Sequence, residues 1–359
     1  MEPNPFFEPD FLTLASRAFD GFSKTRLLVA SEGSEFRGVL PIIGVERTRI
    51  PPRLTMTTRG YPTMVSSLCT PLVDRTCVDR TIGALLDGLR NGAKRGELPG
   101  ILSLKRIGEN GPVIESLRRE AGARGMPTFT KESWVRGMVN RTGRWESPVS
   151  GQRRRENARR RRVLARDSGR ELSVVDRTLD PAAASEFLKM EASGWKGRDE
   201  GTAYARDPAK VAWFHEWTDR WTKAGRLKVL SLNVGNTSIA IQYYLRAGEG
   251  LFLFRIAYDD SYAKYGPGGL LLESGMAIQL EQTDASWIDS STDPDNAFLL
   301  EMLPERRTIS MLLIGTGGTL DRTLVSAMPV MTRGVAELHR ARQWSKQLGR
   351  SRSSAGQSG

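Results

Sequence analysis

The sequence predicts an α/β (α+β) protein with mixed central sheets flanked by helices, arranged as two domains in series. Three observations carry that prediction. The 359 residues exceed the usual size of one domain and suit two of about 150–180 residues each. Strand-sized apolar runs alternate with stretches of helical periodicity, as in a mixed sheet covered by helices. The alternation occurs twice, on either side of an Arg-rich segment. The expected boundaries are 1–148 for the first domain, 149–169 for a connecting helix, 170–349 for the second domain and 350–359 for a disordered tail.

Residues 25–50 read as two strands joined by a turn around Glu32–Gly33–Ser34, a hairpin signal. Met64–Cys69 is a third apolar stretch. Cys77–Lys94 places Val78, Ile82, Leu85, Leu86 and Leu89 on one helical face. Pro99–Ile107 reads as a buried strand, Val113–Ala123 as a helix, and Pro127–Val139 as strand that closes this half. Ser150–Ser168 is the connecting helix, stopped at Ser168–Gly169.

The second half begins with a short strand, Leu172–Val175, and a helix, Pro181–Ala192. Asp207–Lys223 is a longer helix, capped by Asp207 with Pro208 at its first position. Leu227–Val234, Thr237–Leu245 and Gly250–Ala257 form a meander, turning at Gly235–Asn236 and at Ala247–Gly250. Gly268–Leu280 is a helix, Ser286–Asp289 a short strand, Phe298–Leu303 a short helix and Thr308–Leu313 a strand. A last helix is expected over Val335–Leu348, before a tail without core-forming residues.

Composition excludes several classes. The apolar fraction of 39% is ordinary for a folded protein. No apolar run approaches the roughly 18 residues of a spanning helix. The start, MEPNPFFEPDF, lacks the basic and apolar regions of a signal peptide, so a cytoplasmic location is expected. Cys69 and Cys77 make neither a metal site nor a disulfide framework. His215 and His339 each lie on a helix face, where a packed or solvated histidine is the simpler reading than catalysis. No serine-hydrolase elbow, Walker loop or zincin motif appears.

The net charge of +12 points at first to nucleic acid. Its distribution argues otherwise. Eight arginines against Glu156 between Arg153 and Arg166 give a local +7. The rest is mixed, and 42 arginines against 11 lysines is a preference that composition alone explains. A solvated or internally paired helix is the simpler reading.

Leu251–Leu280 is the informative stretch. An apolar strand ends at Tyr258–Asp259–Asp260, and a polar link leads to Tyr265–Gly266–Pro267–Gly268–Gly269, where a helix opens. A Gly-rich turn feeding a helix directs free amides and the positive end of the helix dipole at one point, a place for a phosphate. A plain chain turn at a helix start explains the glycines equally well.

The order of meander, Gly-containing loop and helix resembles the GNAT-type acyltransferases. The resemblance is nearest to the tandem-GNAT proteins of the CelD/BcsL-like cellulose-biosynthesis family, with a BioF-like acetyltransferase domain, which are similar in turn to the FemAB peptidyltransferases. It rests on Glu191-Ala-Ser-Gly-Trp195-Lys196-Gly197 with Gly201-Thr202-Ala203, and on Phe254-Arg255-Ile256-Ala257-Tyr258-Asp259 followed by Ser261-Tyr262-Ala263-Lys264-Tyr265-Gly266-Pro267-Gly268. The Arg-rich helix, the LVASEGSEFRGVLPI hairpin and TPLVDR add weaker support. There are three departures, one being that the Gly-rich loop lacks the Gln/Arg-x-x-Gly-x-Gly signature of simple GNAT enzymes. Arg255 occupies a position where the family commonly has lysine, and Phe298–Leu299 stands where an aromatic–Lys pair is common.

The resemblance implies two tandem GNAT domains, the first degenerate, and transfer of an acyl group from an acyl-CoA (acetyl-CoA or longer) to a small-molecule amine. The backbone of Phe254, Arg255, Ile256 and Ala257 would hold the pantetheine arm. Lys264, Tyr265, Gly266, Gly268 and Gly269 would hold the pyrophosphate. Glu191, Asp259 or Asp289 would be the base, and Tyr258 or Tyr262 would protonate the departing thiolate. Trp195, Lys196 and Tyr262 would line the acceptor side. No metal or tightly bound cofactor is implied. An acyl carrier protein is an alternative donor, and a Fem-like use of aminoacyl-tRNA is the first alternative function. A non-catalytic scaffold in polysaccharide assembly is the second.

Overall fold

A computed structural model describes residues 2–19, 25–47, 54–57, 66–141, 149–198, 202–292 and 296–333. The expected helix over Val335–Leu348 and the tail 350–359 lie outside the described residues.

The first element is a 3₁₀ turn, Pro5–Phe7, capped by the Asn4 side chain, which accepts from the Phe6 amide at 3.1 Å. Helix α1 (Pro9–Ala18) follows, with proline at its first position. The expected hairpin is β1 (Arg26–Glu32) and β2 (Glu35–Ile42), turning at Gly33 with φ +59°. Then come β3 (Gly44–Arg47), β4 (Leu54–Thr57), β5 (Leu72–Val73), α2 (Val78–Lys94), β6 (Ile101–Gly108), α3 (Pro112–Ala123) and β7 (Thr128–Asn140). The expected third strand does not form at its described end: residues 66–70 lie in no strand.

The Arg-rich segment is helix α4 (Gly151–Ser168), capped by Ser150 and ended by Gly169 in the left-handed conformation. Beyond it lie β8 (Leu172–Asp176), α5 (Ala182–Ser193), α6 (Trp195–Arg198), α7 (Pro208–Lys223), β9 (Leu227–Val234), β10 (Thr237–Ala247) and β11 (Gly250–Tyr258). A 3₁₀ segment, Asp260–Tyr265, leads into α8 (Pro267–Gln282), then β12 (Trp287–Asp289), α9 (Ala297–Met302) and β13 (Glu305–Gly315). The α7 start is as expected, with the Asp207 carboxylate accepting from the Ala209 amide at 2.9 Å ahead of Pro208.

Ten strands form one sheet in the order β3-β4-β6-β13-β7-β12-β11-β10-β9-β8, and β1-β2-β5 form a second. The mixed α/β class is as the sequence predicts, but the two halves do not keep their strands apart. The last strand, β13, lies antiparallel between β6 and β7 of the first half. In turn β7 pairs with β12 of the second. Each half thus closes the other's sheet.

One face of the long sheet is covered by α1, α5 and α7. Phe11 of α1 packs edge-on against Trp213, Trp217 and Trp221 of α7, with ring centroids 5.5–6.1 Å apart. These rings repeat at the four-residue spacing that puts side chains on one helix face. The opposite face in the second half buries Leu270, Leu271, Met276 and Leu280 of α8, with α4 laid beside it. A further core lies between α2, α3 and the first-half strands.

Candidate functional site

The strands β11 and β12 run parallel but pair over only three residues, Gly250–Phe252 against Trp287–Asp289. β12 ends there, whereas β11 continues to Tyr258. The two strands therefore part, and a notch opens in the sheet beside the second half of β11. A bulge sits at the point of parting. The β10–β11 register shifts between Tyr243, opposite Arg255, and Tyr244, opposite Leu253, leaving Phe254 as the extra residue. Phe254 contacts Trp217 at 5.2 Å and Arg255 stacks on Tyr204 at 4.0 Å, so consecutive side chains point to the same sheet face. After the bulge Ile256 and Tyr258 face α8.

The start of α8 lies against that stretch. Gly266 has φ +64°, a conformation that glycine adopts without strain, and it turns the 3₁₀ segment into the helix. Pro267 has no amide hydrogen. No side chain caps the helix. The Gly269 and Leu270 amides turn back to the Gly266 carbonyl at 3.0 and 3.1 Å, so among the described residues the Gly268 amide is the uncommitted donor at the positive end of the dipole. A side-chain carbon on Gly268 would touch Tyr258 and Ile256 at 3.4–3.5 Å, and one on Gly269 would meet the Phe298 ring at 2.9 Å. The Arg160 guanidinium of α4 lies against the point where a Gly266 side chain would begin. The helix start is thus ringed by Tyr258, Phe298 and an arginine.

The three carboxylates expected as bases have different surroundings. Glu191 is buried in α5 and both its oxygens are engaged: Oε1 accepts from Arg255 Nε at 2.5 Å, and Oε2 from the Tyr204 amide at 2.9 Å. Arg255 also donates to the Tyr204 hydroxyl and the Thr202 carbonyl, both at 3.2 Å. This is a structural ion pair across the sheet face. Asp289 is 0% exposed and takes Arg136 at 2.6 Å and Arg307 at 2.9 Å on one oxygen, and the Ser291 amide at 2.8 Å on the other. Burial alone would push its carboxyl up, but the two guanidiniums outweigh it and hold the group below its ordinary range. Such a carboxylate is a poor proton acceptor. Asp259 caps the 3₁₀ segment through one oxygen, which accepts from the amide and hydroxyl of Ser261. Its other oxygen has no partner among the described residues.

Tyr258 is half-buried, and burial, aided by Asp260, raises its phenol above the ordinary value. Tyr262 packs beside Tyr265 with ring centroids 6.4 Å apart. The Tyr265 hydroxyl donates to Asp167 of α4 at 2.9 Å, tying the loop to that helix, and Lys264 is exposed with its ammonium over the Tyr265 ring. Among the expected site residues, the structure brings Ile256, Tyr258, Gly266, Gly268 and Gly269 together. It sets Glu191, Arg255 and Phe254 on the opposite sheet face. The side chains of Trp195 and Lys196 lie outside the described residues.

Helix α4 accounts for much of the charge cluster. Arg153 pairs with Glu301, Arg159 and Arg160 with Glu156, and Arg166 with Asp167. Arg161 donates to the Leu270 carbonyl and Ser274 hydroxyl of α8, both at 2.8 Å. The arrangement matches the simpler reading of an internally paired helix. Arg160 and Arg136 are the residues that sequence reasoning missed. The first was one of eight look-alike arginines, and the second pairs with Asp289, 153 positions away.

The family model for an acetyltransferase (GNAT) domain matches residues 152–293, a stretch that takes in α4 to β12. The structure is similar to that of FemX, with a TM-score of 0.50 at 10% identity over 81% of this chain and 87% of that one. L-PGS from Bacillus licheniformis gives 0.52 at 12% identity, covering 92% and 97%. The C-terminal domain of a putative lysylphosphatidylglycerol synthetase from Agrobacterium fabrum gives 0.51 at 10%, covering 87% and 94%. At such identities these likenesses show the fold alone. A search of curated proteins by sequence returns no match.

Proposed function

We propose that this protein is an N-acyltransferase that takes its acyl group from a coenzyme A thioester held between the start of α8 and the open edge of β11. A GNAT domain is present, and general acyl-transfer chemistry goes with it. The observation that carries the finer reading is the parting of β11 from β12 directly beside an uncapped, glycine-built helix start. The Gly268 amide and the positive end of the α8 dipole would take the pyrophosphate, with Arg160 supplying a guanidinium. The β11 edge from Phe254 to Ala257 would lie along the pantetheine arm, bringing the thioester to the notch.

The amine would reach the carbonyl carbon through that notch and form the new C–N bond as the C–S bond breaks. Proton transfer divides between two groups. Asp259, with one oxygen uncommitted among the described residues, would accept the amine proton, directly or through a water. Tyr258 keeps its proton at neutral pH and would donate to the departing thiolate. Glu191 and Asp289 hold the surrounding frame. The first half, 1–148, would act as a degenerate partner domain that shapes the acceptor side, and the amine would be a small molecule.

No helix among the described residues is long and apolar enough to cross a membrane. A second reading, aminoacyl transfer from tRNA, draws on the likeness to FemX and on the exposed arginines of α4. A thermal-shift screen from acetyl- to palmitoyl-CoA at fixed salt separates the two. Saturable stabilisation by one chain length supports the thioester donor. Steeply salt-dependent tRNA binding with no response to any acyl-CoA supports the alternative.

A further inference from the structure

A cavity of about 350 Å³ lies on the α5–α7 face of the sheet, away from α8, between the β8–α5 connection, the second half of α7 and the floor strands β9 and β10. Its charged and hydroxyl groups are almost all committed to one another. Arg177 serves Asp180, Glu186 and the Ser238 hydroxyl. Asp219 pairs with Lys223 at 2.7 Å. The Thr218 and Thr222 hydroxyls donate to backbone carbonyls of Phe214 and Thr178.

Tyr243 stands apart from that pattern. The residue is 1% exposed, its ring fixed between Phe187 and Phe214 at centroid distances of 4.9 and 5.2 Å, yet its hydroxyl has no hydrogen-bond partner among the described residues. Because Tyr243 lines the cavity and its hydroxyl is not among the sealed, unpartnered polar atoms, that hydroxyl is a donor open to whatever fills the space. Burial pushes its pKa up, so the group stays protonated. The imidazole of His215, on the same wall, also has no partner among the described residues. Ala183, Ala184 and Leu227 supply an apolar bed.

We propose that this cavity binds a compact uncharged carbonyl compound whose oxygen accepts from the Tyr243 hydroxyl, at a site separate from the acyl-transfer cleft. The ligand is uncharged because the cavity's fixed charges are already matched, so a further ion would be desolvated without a counter-ion. A planar amide fits the remaining groups, with its carbonyl on Tyr243, its N–H toward His215 and its apolar part on the alanines. The volume falls within the range of small-molecule sites.

Benzamide is the probe, followed by ligand-observed saturation-transfer NMR on the full chain. Saturable binding is expected. It should weaken about three- to tenfold in Tyr243→Phe, which removes a single oxygen, and vanish in Ala184→Phe, which fills the cavity. Benzoate and benzylamine should bind more weakly than benzamide, and saturating acetyl-CoA should not displace it. Absence of saturable binding overturns the proposal. So does equal binding by Tyr243→Phe, by either charged analogue, or displacement by acetyl-CoA. If Ala184→Phe does not fold, the near-isosteric Tyr243→Phe decides alone. Apart from the acetyl-CoA competition, none of these readouts depends on the acyl-transfer reading.

Discussion

Glu191 and Arg255 are both buried, and each satisfies the other's charge while bridging α5 to β11. Removing one charge strands its partner in a low-dielectric core, which costs about 3–5 kcal/mol. Glu191→Gln is therefore expected to lower unfolding free energy by that amount in urea titrations while leaving acetyl-CoA affinity within about twofold. Unchanged stability with lost turnover would instead make Glu191 a base. Asp289 offers a pH test. Its folded pKa lies below the ordinary value of 3.8, so it contributes stability that is present above that value and is lost as pH falls through the folded pKa. The stability gap between the native protein and Asp289→Asn should thus be flat above about pH 5 and shrink below about pH 4, read from thermal melts across that range. A gap that shrinks instead toward alkaline pH would contradict the assigned network. Both residues were legible as polar groups at element ends, the position of many catalytic acids. Their partners were not, because Arg136 and Arg307 reach Asp289 only through strand pairing that no local pattern encodes.

At the scale of elements, the join of α4 to α8 does the positioning. Arg161 and Asn157 fasten α4 along α8, and Tyr265 fastens the preceding loop to Asp167. That docking places Arg160 over Gly266. Arg160→Gln should weaken acetyl-CoA binding by about three- to tenfold, the effect of losing one partly solvated charge-assisted hydrogen bond. Arg162→Gln, on the exposed side of the same helix, should leave binding unchanged. Equal losses in the two variants would mean that α4 acts only through its overall field. The glycine-rich helix start, the Asp207–Pro208 start of α7 and the Ser150–Gly169 limits of α4 were all readable from local residue chemistry. The bulge at Phe254 was not, since Phe254-Arg255-Ile256 contains nothing that a regular strand would exclude.

For the whole molecule, the exchange of β13 and β7 makes the halves interdependent. The N-terminal helix reinforces this by burying Phe11 among the tryptophans of α7. A single cooperative unfolding transition is expected by calorimetry and by hydrogen exchange, rather than one for each half. Two separable transitions would contradict the shared sheet. The sequence shows two α/β halves because each repeats the alternation of strand and helix. It hides the exchange because the partners of β13 lie 167–214 positions earlier in the chain. The central claim concerns the start of α8, and titration calorimetry of acetyl-CoA against Gly268→Ala and Gly268→Asp tests it most directly. A methyl group fits beside Tyr258 and Ile256, whereas a carboxylate repels phosphate at the same point. The account predicts saturable binding by the native protein and Gly268→Ala and none by Gly268→Asp. Equal binding by a folded Gly268→Asp would place the donor elsewhere.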